Sequence, residues 1–467
     1  MKKALALALA GAMSVGLLAG CGSTASSAAS STAASSEAAS TEASSTEASS
    51  AAATGSTVNT TDPIKLTISW WGGDSRHAAY QEAIQAFQAK YPNITVEATY
   101  GAWSGWEDTK STALYSNTAE DIMQVNWNWL SQYSGDGSKF VDLNQYSDLI
   151  DLTQFADASI NACTVADELQ AVPVSMTGRI FYWNMNTFAK AGITEVPKTL
   201  DDLVAAGQAF KDTLGDDYYP LALGEYDRMI LMTYYLESTY GKQWVENGAL
   251  QYTAEEVATG IDFIQSLEDN HVIPSIETMN AAGIDANNSI DKSEKWISGY
   301  YCGVFEWDSG AVKYQGALED NTGFTVGEEI KFGDKANGGF SKVSMGLAIT
   351  ETCEHKAEAA ALINFLLNET EGAGIMGSEC GIPCSKAGLA AAEAAGKVKE
   401  LVKDANTKVM DFVDFQLDPT FESTDLKANP GGVYANVFGG YSYKEYDSSA
   451  DAAADLVAGV EEALASK

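Results

Sequence analysis

"IKLTISWWGGDSRHAAYQEAIQAFQAKYPNITVEATY", residues 64–100, decides the fold class. Residues 64–71 are rich in β-branched and aromatic side chains and run into a Gly72-Gly73 turn, the composition of a strand and its end. Asp74 or Ser75 is placed to cap a helix in which Tyr80, Ile84, Phe87 and Tyr91 recur at helical spacing. Pro92-Asn93 stops that helix, and "ITVEATY" alternates as a second strand. Strand, helix and strand in this order make a right-handed βαβ unit, so the expected class is α/β.

Outward from that unit, "DIMQV" (121–125) reads as a short buried strand followed by "NWNWL". In open α/β sheets ligands bind outside the carboxyl ends of strands, where Trp71 and Trp127 both fall. Asn126 and Asn128 are poor strand formers. If the segment stays extended, Trp127 and Trp129 share a side; if a helix follows, Trp129 turns into the core. "LQAVPVSMTGRIFYWN" (169–184) reads as two extended segments and "TLDDLVAAGQAFKDTL" (199–214) as a helix, with "YYPLAL" (218–223) strand-like after it. "TAEE" (253–256) is a capping box ahead of Val257, Ile261, Ile264 and Leu267. "GYYCGVFEW" is a strand ending at Trp307, "VSMGLAITE" another, and "KAEAAALINFLLNE" and "AADLVAGVEEAL" are helices.

The amino terminus has a different character. Lys2 and Lys3 precede an apolar run too short to span a bilayer, and residues 18–21 read "LAGC". These features mark an export leader over residues 1–20. "LAGC" resembles the bacterial lipobox, which implies cleavage before Cys21 and lipidation of its thiol. Residues 21–61 are almost only Ala, Ser, Thr and Glu, too polar to fold, and read as a flexible tether. About 400 residues remain, more than one core usually serves.

The chain's formal charge is −36, and loss of Lys2 and Lys3 makes it −38. Such a surface repels nucleic acid and anionic headgroups, which argues against both as partners. Besides Cys21 there are Cys163, Cys302, Cys353, Cys380 and Cys384, an odd and scattered set that reads as structural or free thiols. His77, His271 and His355 fit no metal spacing, and no metal or cofactor is expected.

Together, "LTISWWGG", "FQAKYPNITVE", "DIMQVNWNWL", "VPVSMTGRIFYWN" and "AITETCEHKAEAAALINFLLNETEGAGIMG" resemble an extracellular solute-binding protein of a carbohydrate ABC importer. The triplet "WWGGDSRH", "QVNWNWL" and "TGRIFYWN" is similar to the branch that binds oligogalacturonides in pectin-degrading bacteria. The resemblance implies two α/β lobes joined by crossing hinge strands, with sugar in the cleft between them. Lobe 1 would take residues 62–172 and 345–380, and lobe 2 residues 173–344 and 381–467. It also implies permease subunits and a separate ATPase as partners. The binding protein is expected to act as a monomer on the outer face of the membrane, held by Cys21.

Only three of the 28 basic residues are arginines: Arg76, Arg179 and Arg228. The planar guanidinium pairs bidentately with a carboxylate, and a uronate carries one per ring. Arg76 and Arg179 lie in the motifs above and are candidate ligands. Alternatively, Arg76 neutralises Asp74 or Glu82 and Arg179 bridges the lobes; Arg228 is read as structural. Indole faces match the C–H faces of pyranoses. Trp71, Trp103, Trp106, Trp127, Trp129, Trp307 and Tyr182 are the aromatic candidates, although core packing also suits such residues. Trp127 and Trp307 are the expected platforms, with Asn126 and Asn128 as hydroxyl partners and His77 a further contact. No catalytic residues are expected: H-E-x-x-H, G-x-S-x-G and the P-loop are missing from the sequence. A binder of neutral xylo- or malto-oligomers and a surface-anchored carbohydrate-active enzyme are the alternative readings.

Overall fold

The computed structural model describes residues 56–466, apart from 104 and 287. The expected βαβ unit is present as β1 (Ile64–Trp71), α1 (Asp74–Lys90) and β2 (Ile94–Gly101). β1 and β2 are parallel, in register from Ile64↔Ile94 to Trp71↔Gly101. Leu66, Ile68 and Trp70 are fully buried and share a core with Tyr80, Ile84 and Phe87 of α1. The helix start differs from expectation. Gly73 is the N-cap without a side-chain bond, Asp74 is already helical, and the Ser75 hydroxyl donates to Glu379 instead. A carboxylate in the first turn still complements the helix dipole, so Asp74 supports the helix from inside it.

After α2 (Trp106–Tyr115), the wholly buried β3 (Ile122–Val125) lies parallel to β1 on the side away from β2. Next, α3 (Asn128–Ser134) begins, with Trp127 as its helical N-cap at φ −57° and ψ −35°. "NWNWL" is therefore not a strand. At about 100° of turn per residue, Trp127 and Trp129 face nearly opposite ways. Trp129 is fully buried, as the helical alternative requires.

β4 (Val172–Thr177) and β5 (Arg179–Asn184) are separated by Gly178 alone, yet they belong to different sheets. This is where the chain crosses. A Cβ at Gly178 would sit 2.4 Å from Val409 Cγ1 and 3.0 Å from the Phe340 carbonyl oxygen, so the crossing requires glycine. Helices α4 (Leu200–Leu214) and α6 (Ala254–Asp269) both begin in capping boxes, at Thr199 and Thr253, with α5 (Glu225–Tyr240) between them. The "YYPLAL" segment makes only isolated bridges, Tyr219↔Tyr301 and Ala222↔Val304, because Pro220 interrupts any ladder.

β6 (Gly303–Trp307) and β7 (Phe324–Val326) flank β5 antiparallel, giving the smaller sheet β6–β5–β7. β8 (Phe340–Ile349) returns to the larger sheet, antiparallel to both β3 and β4. It is followed by α7 (Lys356–Leu367), α8 (Glu400–Phe412), β9 (Phe415–Gln416), α9 (Thr424–Lys427) and α10 (Ser449–Ala465). The larger sheet runs β9–β8–β3–β1–β2, with β4 also on β8. Two sheets joined by a single-residue crossing, each with its helices, make a two-lobed α/β fold.

The end of the predicted tether is more ordered than its composition suggests. Val58 packs on the core, the Asn59 amide donates to Glu358, and the Asn59 side-chain carbonyl accepts from the amides of Thr61 and Asp62. Residues 1–55, on which the expected leader and lipidated Cys21 fall, lie outside the described residues. Among the described residues no helix is long and apolar enough to cross a membrane. Cys163, Cys302, Cys353, Cys380 and Cys384 are free thiols.

Candidate functional site: a charge cluster framed by tryptophans

β5, β6 and β8 each deliver one residue to a common point: Arg179 at the start of β5, Trp307 at the end of β6 and Lys342 near the start of β8. Trp127 reaches the same point from the end of β3. The Lys342 ammonium lies 4.5 Å from the Trp307 ring centre and 5.3 Å from that of Trp127. The Arg179 guanidinium lies 4.5 Å from the Trp307 ring centre and 5.6 Å from that of Tyr226. Two indoles therefore frame two cations, drawn by the negative faces of the rings.

Each cation has acidic partners. Arg179 Nη1 donates to Asp227 at 2.8 Å and to the Phe305 carbonyl oxygen at 2.6 Å, and lies 3.0 Å from Glu306. Lys342 donates to Glu422 at 2.6 Å, and Lys427 lies 3.6 Å from the other oxygen of that carboxylate. Tyr226 Oη (2.8 Å) and Asn126 Nδ2 (3.2 Å) also donate to Glu422. Burial pushes the Lys342 ammonium down to about 8, against the pull of Glu422. Burial also raises Asp227, to about 6, because Arg179 does not fully offset it and Glu306 adds to it. For Glu306 burial acts upward too, but Arg179 and Lys313 win and hold it below the usual range. Asp227 is thus the member of the trio that gives up its charge first.

The other predicted residues fall into three places. Asn128 faces the cluster but donates to the Glu422 carbonyl oxygen at 3.2 Å, while Asn126 donates to its carboxylate. Both amides are engaged with protein groups. Trp71 and the 40 % exposed Trp103 form a second aromatic surface, 5.0 Å between ring centres, backed by Trp129 at 5.6 and 6.1 Å. Trp106 is buried beneath Lys110. Arg76 donates to the backbone carbonyls of Glu379 and Trp71, pinning α1 to the end of β1 rather than pairing with Asp74 or Glu82. His77 accepts from Trp70 Nε1 through Nδ1, at 3.1 Å, and packs at a tilt against Tyr100. Arg228 pairs with Glu268 and the Pro274 carbonyl, the structural role expected of it.

Tyr182 is not a surface residue. It is fully buried in the smaller sheet, its ring stacked on Phe324 and its hydroxyl donating to the carbonyls of Trp307 and Asp308. Strand alternation explains this: Arg179 and Tyr182 are three apart and so lie on opposite faces of β5. Sequence reasoning missed Lys342, Glu422, Tyr226, Lys427, Asp227 and Glu306. Lys342 carried a usable signal, since a lysine inside the apolar run "GGFSKVSMGLAI" is rarely buried without a partner.

Two α/β lobes with a tryptophan-framed polar cluster beside the crossing have the architecture of a solute-binding protein. The profile of the bacterial extracellular solute-binding proteins matches residues 73–373, and the chain belongs to that family. A periplasmic oligogalacturonide-binding protein from Yersinia enterocolitica, solved with saturated digalacturonic acid, is 31 % identical with a TM-score of 0.79. The match covers 86 % of this chain and 99 % of that one. A periplasmic solute-binding protein from Pectobacterium atrosepticum is also 31 % identical, with a TM-score of 0.81 over the same shares. Among curated proteins, a putative binding protein from Brucella abortus is 23 % identical over 164 residues, 35 % of this chain and 40 % of that relative. The chain therefore matches less than half the length of that relative. The family and both structural neighbours are binding proteins rather than enzymes.

Proposed function

We propose that this chain is the substrate-binding lipoprotein of an ABC importer, capturing acidic pectic oligogalacturonides and handing them to a membrane permease powered by a separate ATPase. It works as a monomer on the extracellular face, anchored through Cys21 by the 21–61 tether. The lobes read from the sequence, residues 62–172 with 345–380 and residues 173–344 with 381–467, close on the sugar, with the first boundary moved to the Gly178 crossing because β4 lies in the larger sheet. The observation that carries the reading is the Trp127–Lys342–Trp307 arrangement beside Arg179: with Trp127 buried and Trp307 half-buried in the free protein, their flat apolar faces take pyranose rings once the cluster opens, with cations between them for ring carboxylates. The Yersinia neighbour solved with a digalacturonate supports it. Trp71 and Trp103 supply a further stacking surface. His77 and Arg76 serve by fixing the end of β1 that carries Trp71.

One observation favours a neutral oligosaccharide instead. The three cations of the cluster, Arg179, Lys342 and Lys427, face three carboxylates, Asp227, Glu306 and Glu422. Calorimetric titration of the purified protein with di- and trigalacturonate, beside xylotriose and maltotriose, at two salt concentrations separates the readings. Binding of the galacturonates alone, weaker at high salt, is expected. Binding of a neutral trimer only would reject the acidic ligand and keep the transport role. Product formed from pectic oligomers on long incubation would make the protein an enzyme.

A further inference from the structure

The three-against-three charge balance raises a question for an anionic ligand: how do the cations become free? The answer lies in the position of Glu422. Its side chain has no solvent exposure. Four separate elements meet it: Asn126 after β3, Tyr226 of α5 and Lys342 of β8 donate hydrogen bonds, and the Lys427 ammonium of α9 lies 3.6 Å away. Those groups are the set that would hold a uronate carboxylate: two ammonium groups, a phenol and an amide. The ring of Trp127 and the ring of Trp307 flank the same lysine.

We propose that Glu422 is an internal carboxylate that occupies the ligand's place, so that a uronate binds by exchange with it and the closed cluster of the free protein is held by its own acid. This rests on the acidic-ligand reading above. Burial acts to raise the Glu422 carboxyl. Lys342 and Lys427, with the hydrogen bonds from Lys342 and Tyr226, outweigh that and hold it far below the usual carboxylate range. A buried carboxylate that keeps its charge is one whose donors will accept another carboxylate on the same terms.

The segment around Glu422 has somewhere to go. Pro419, Thr420, Ser423, Thr424 and Asp425 form one wall of a cavity of about 520 Å³, and Asn128 and its α3 neighbours contribute to the other. The wall is joined across by a hydrogen bond from Gln132 Nε2 to Thr424 Oγ1 at 3.2 Å and by Asn128 to the Glu422 carbonyl. Both are neutral bonds of the kind that water replaces at little net cost. Exchange therefore exposes Glu422 to solvent while the ligand takes over the cations. In the free protein the same contacts join the end of β3 to α9 and shield Lys342 from other anions.

The experiment is calorimetric titration of the full-length chain and its Glu422→Gln variant with trigalacturonate, with thermal melting of both without ligand. Removing the competing charge should tighten binding about tenfold or more while lowering the melting temperature of the free protein. Binding unchanged or weakened in Glu422→Gln, with wild type binding normally, overturns the exchange and makes Glu422 a direct ligand contact or a scaffold. Failure of the wild type to bind any galacturonate sinks the acidic reading itself, and is seen without the variant. Should Glu422→Gln not fold, Glu422→Asp draws the carboxylate back by one methylene and must also bind more tightly than wild type.

Discussion

Arg179→Ala removes a buried base and leaves the half-buried Asp227 and Glu306 facing each other, both within 3.0 Å of the vacated Nη1 position. Arg179 is 2 % exposed, so water does not easily replace it. Deleting one partner of a buried ion pair typically costs about 3–5 kcal/mol. At about 2.1 cal/mol/K per residue over roughly 400 residues, that corresponds to a fall in Tm of about 4–6 °C. The deficit depends on pH, and its sign follows from Asp227. That carboxyl sits at about 6 even with Arg179 present, above its value of about 3.9 in an unfolded chain. Its stabilising contribution is therefore complete below about 4 and is lost as pH rises through about 6. Without Arg179 the window moves higher. The deficit of Arg179→Ala should be largest at pH 8 and shrink at pH 5, when one of the two acids takes a proton. Differential scanning calorimetry of wild type, Arg179→Ala and the double variant Arg179→Ala/Asp227→Asn at both pH values tests this. The double variant should regain part of the loss at pH 8. A deficit below about 1 °C, or one independent of pH and unaffected by Asp227→Asn, would refute the claim that Arg179 neutralises two facing, half-buried acids.

Three further outcomes follow from the same geometry. Trp127→Ala and Trp307→Ala should each weaken oligogalacturonide binding about tenfold or more, whereas Trp106→Ala should act on stability only, as titration calorimetry and melting will separate. Because burial brings the Lys342 ammonium to about 8, affinity for a uronate should fall as pH rises from 7 to 9, and Lys342→Arg should abolish that midpoint. Gly178→Ala should destabilise the fold by about 1–3 kcal/mol, read by urea melts, since its methyl would lie 2.4 Å from Val409 Cγ1.

The βαβ unit, the capping boxes at Thr199 and Thr253 and the apolar strands β4, β5 and β8 were legible because they rest on periodicities of a few residues. The places of Trp127, just past the end of β3, and of Trp307, at the end of β6, were legible for a related reason, since each follows or closes a short apolar run. The same local logic misplaced Tyr182, since "TGRIFYWN" as a motif hides that alternate residues face opposite sides of β5. It also left the course of "NWNWL" open, because five residues of mixed polarity fit a strand as well as a first helical turn, and only packing against Glu107 and Trp71 placed Trp129 inside.

By itself the amino-acid sequence determined the α/β class, the polar character of residues 21–61 and the aromatic, arginine-bearing segments that supply the frame of the charge cluster. Which charges meet was decided by the tertiary structure. Lys342 and Glu422 are 80 residues apart, Tyr226 and Glu422 196, and Asn126 and Glu422 296. Helix and strand are selected by neighbours a few positions away, so their pattern is written locally. An ion pair is selected by proximity in space and by loss of solvent, and with 64 acids against 28 bases no rule of spacing singles out the partners.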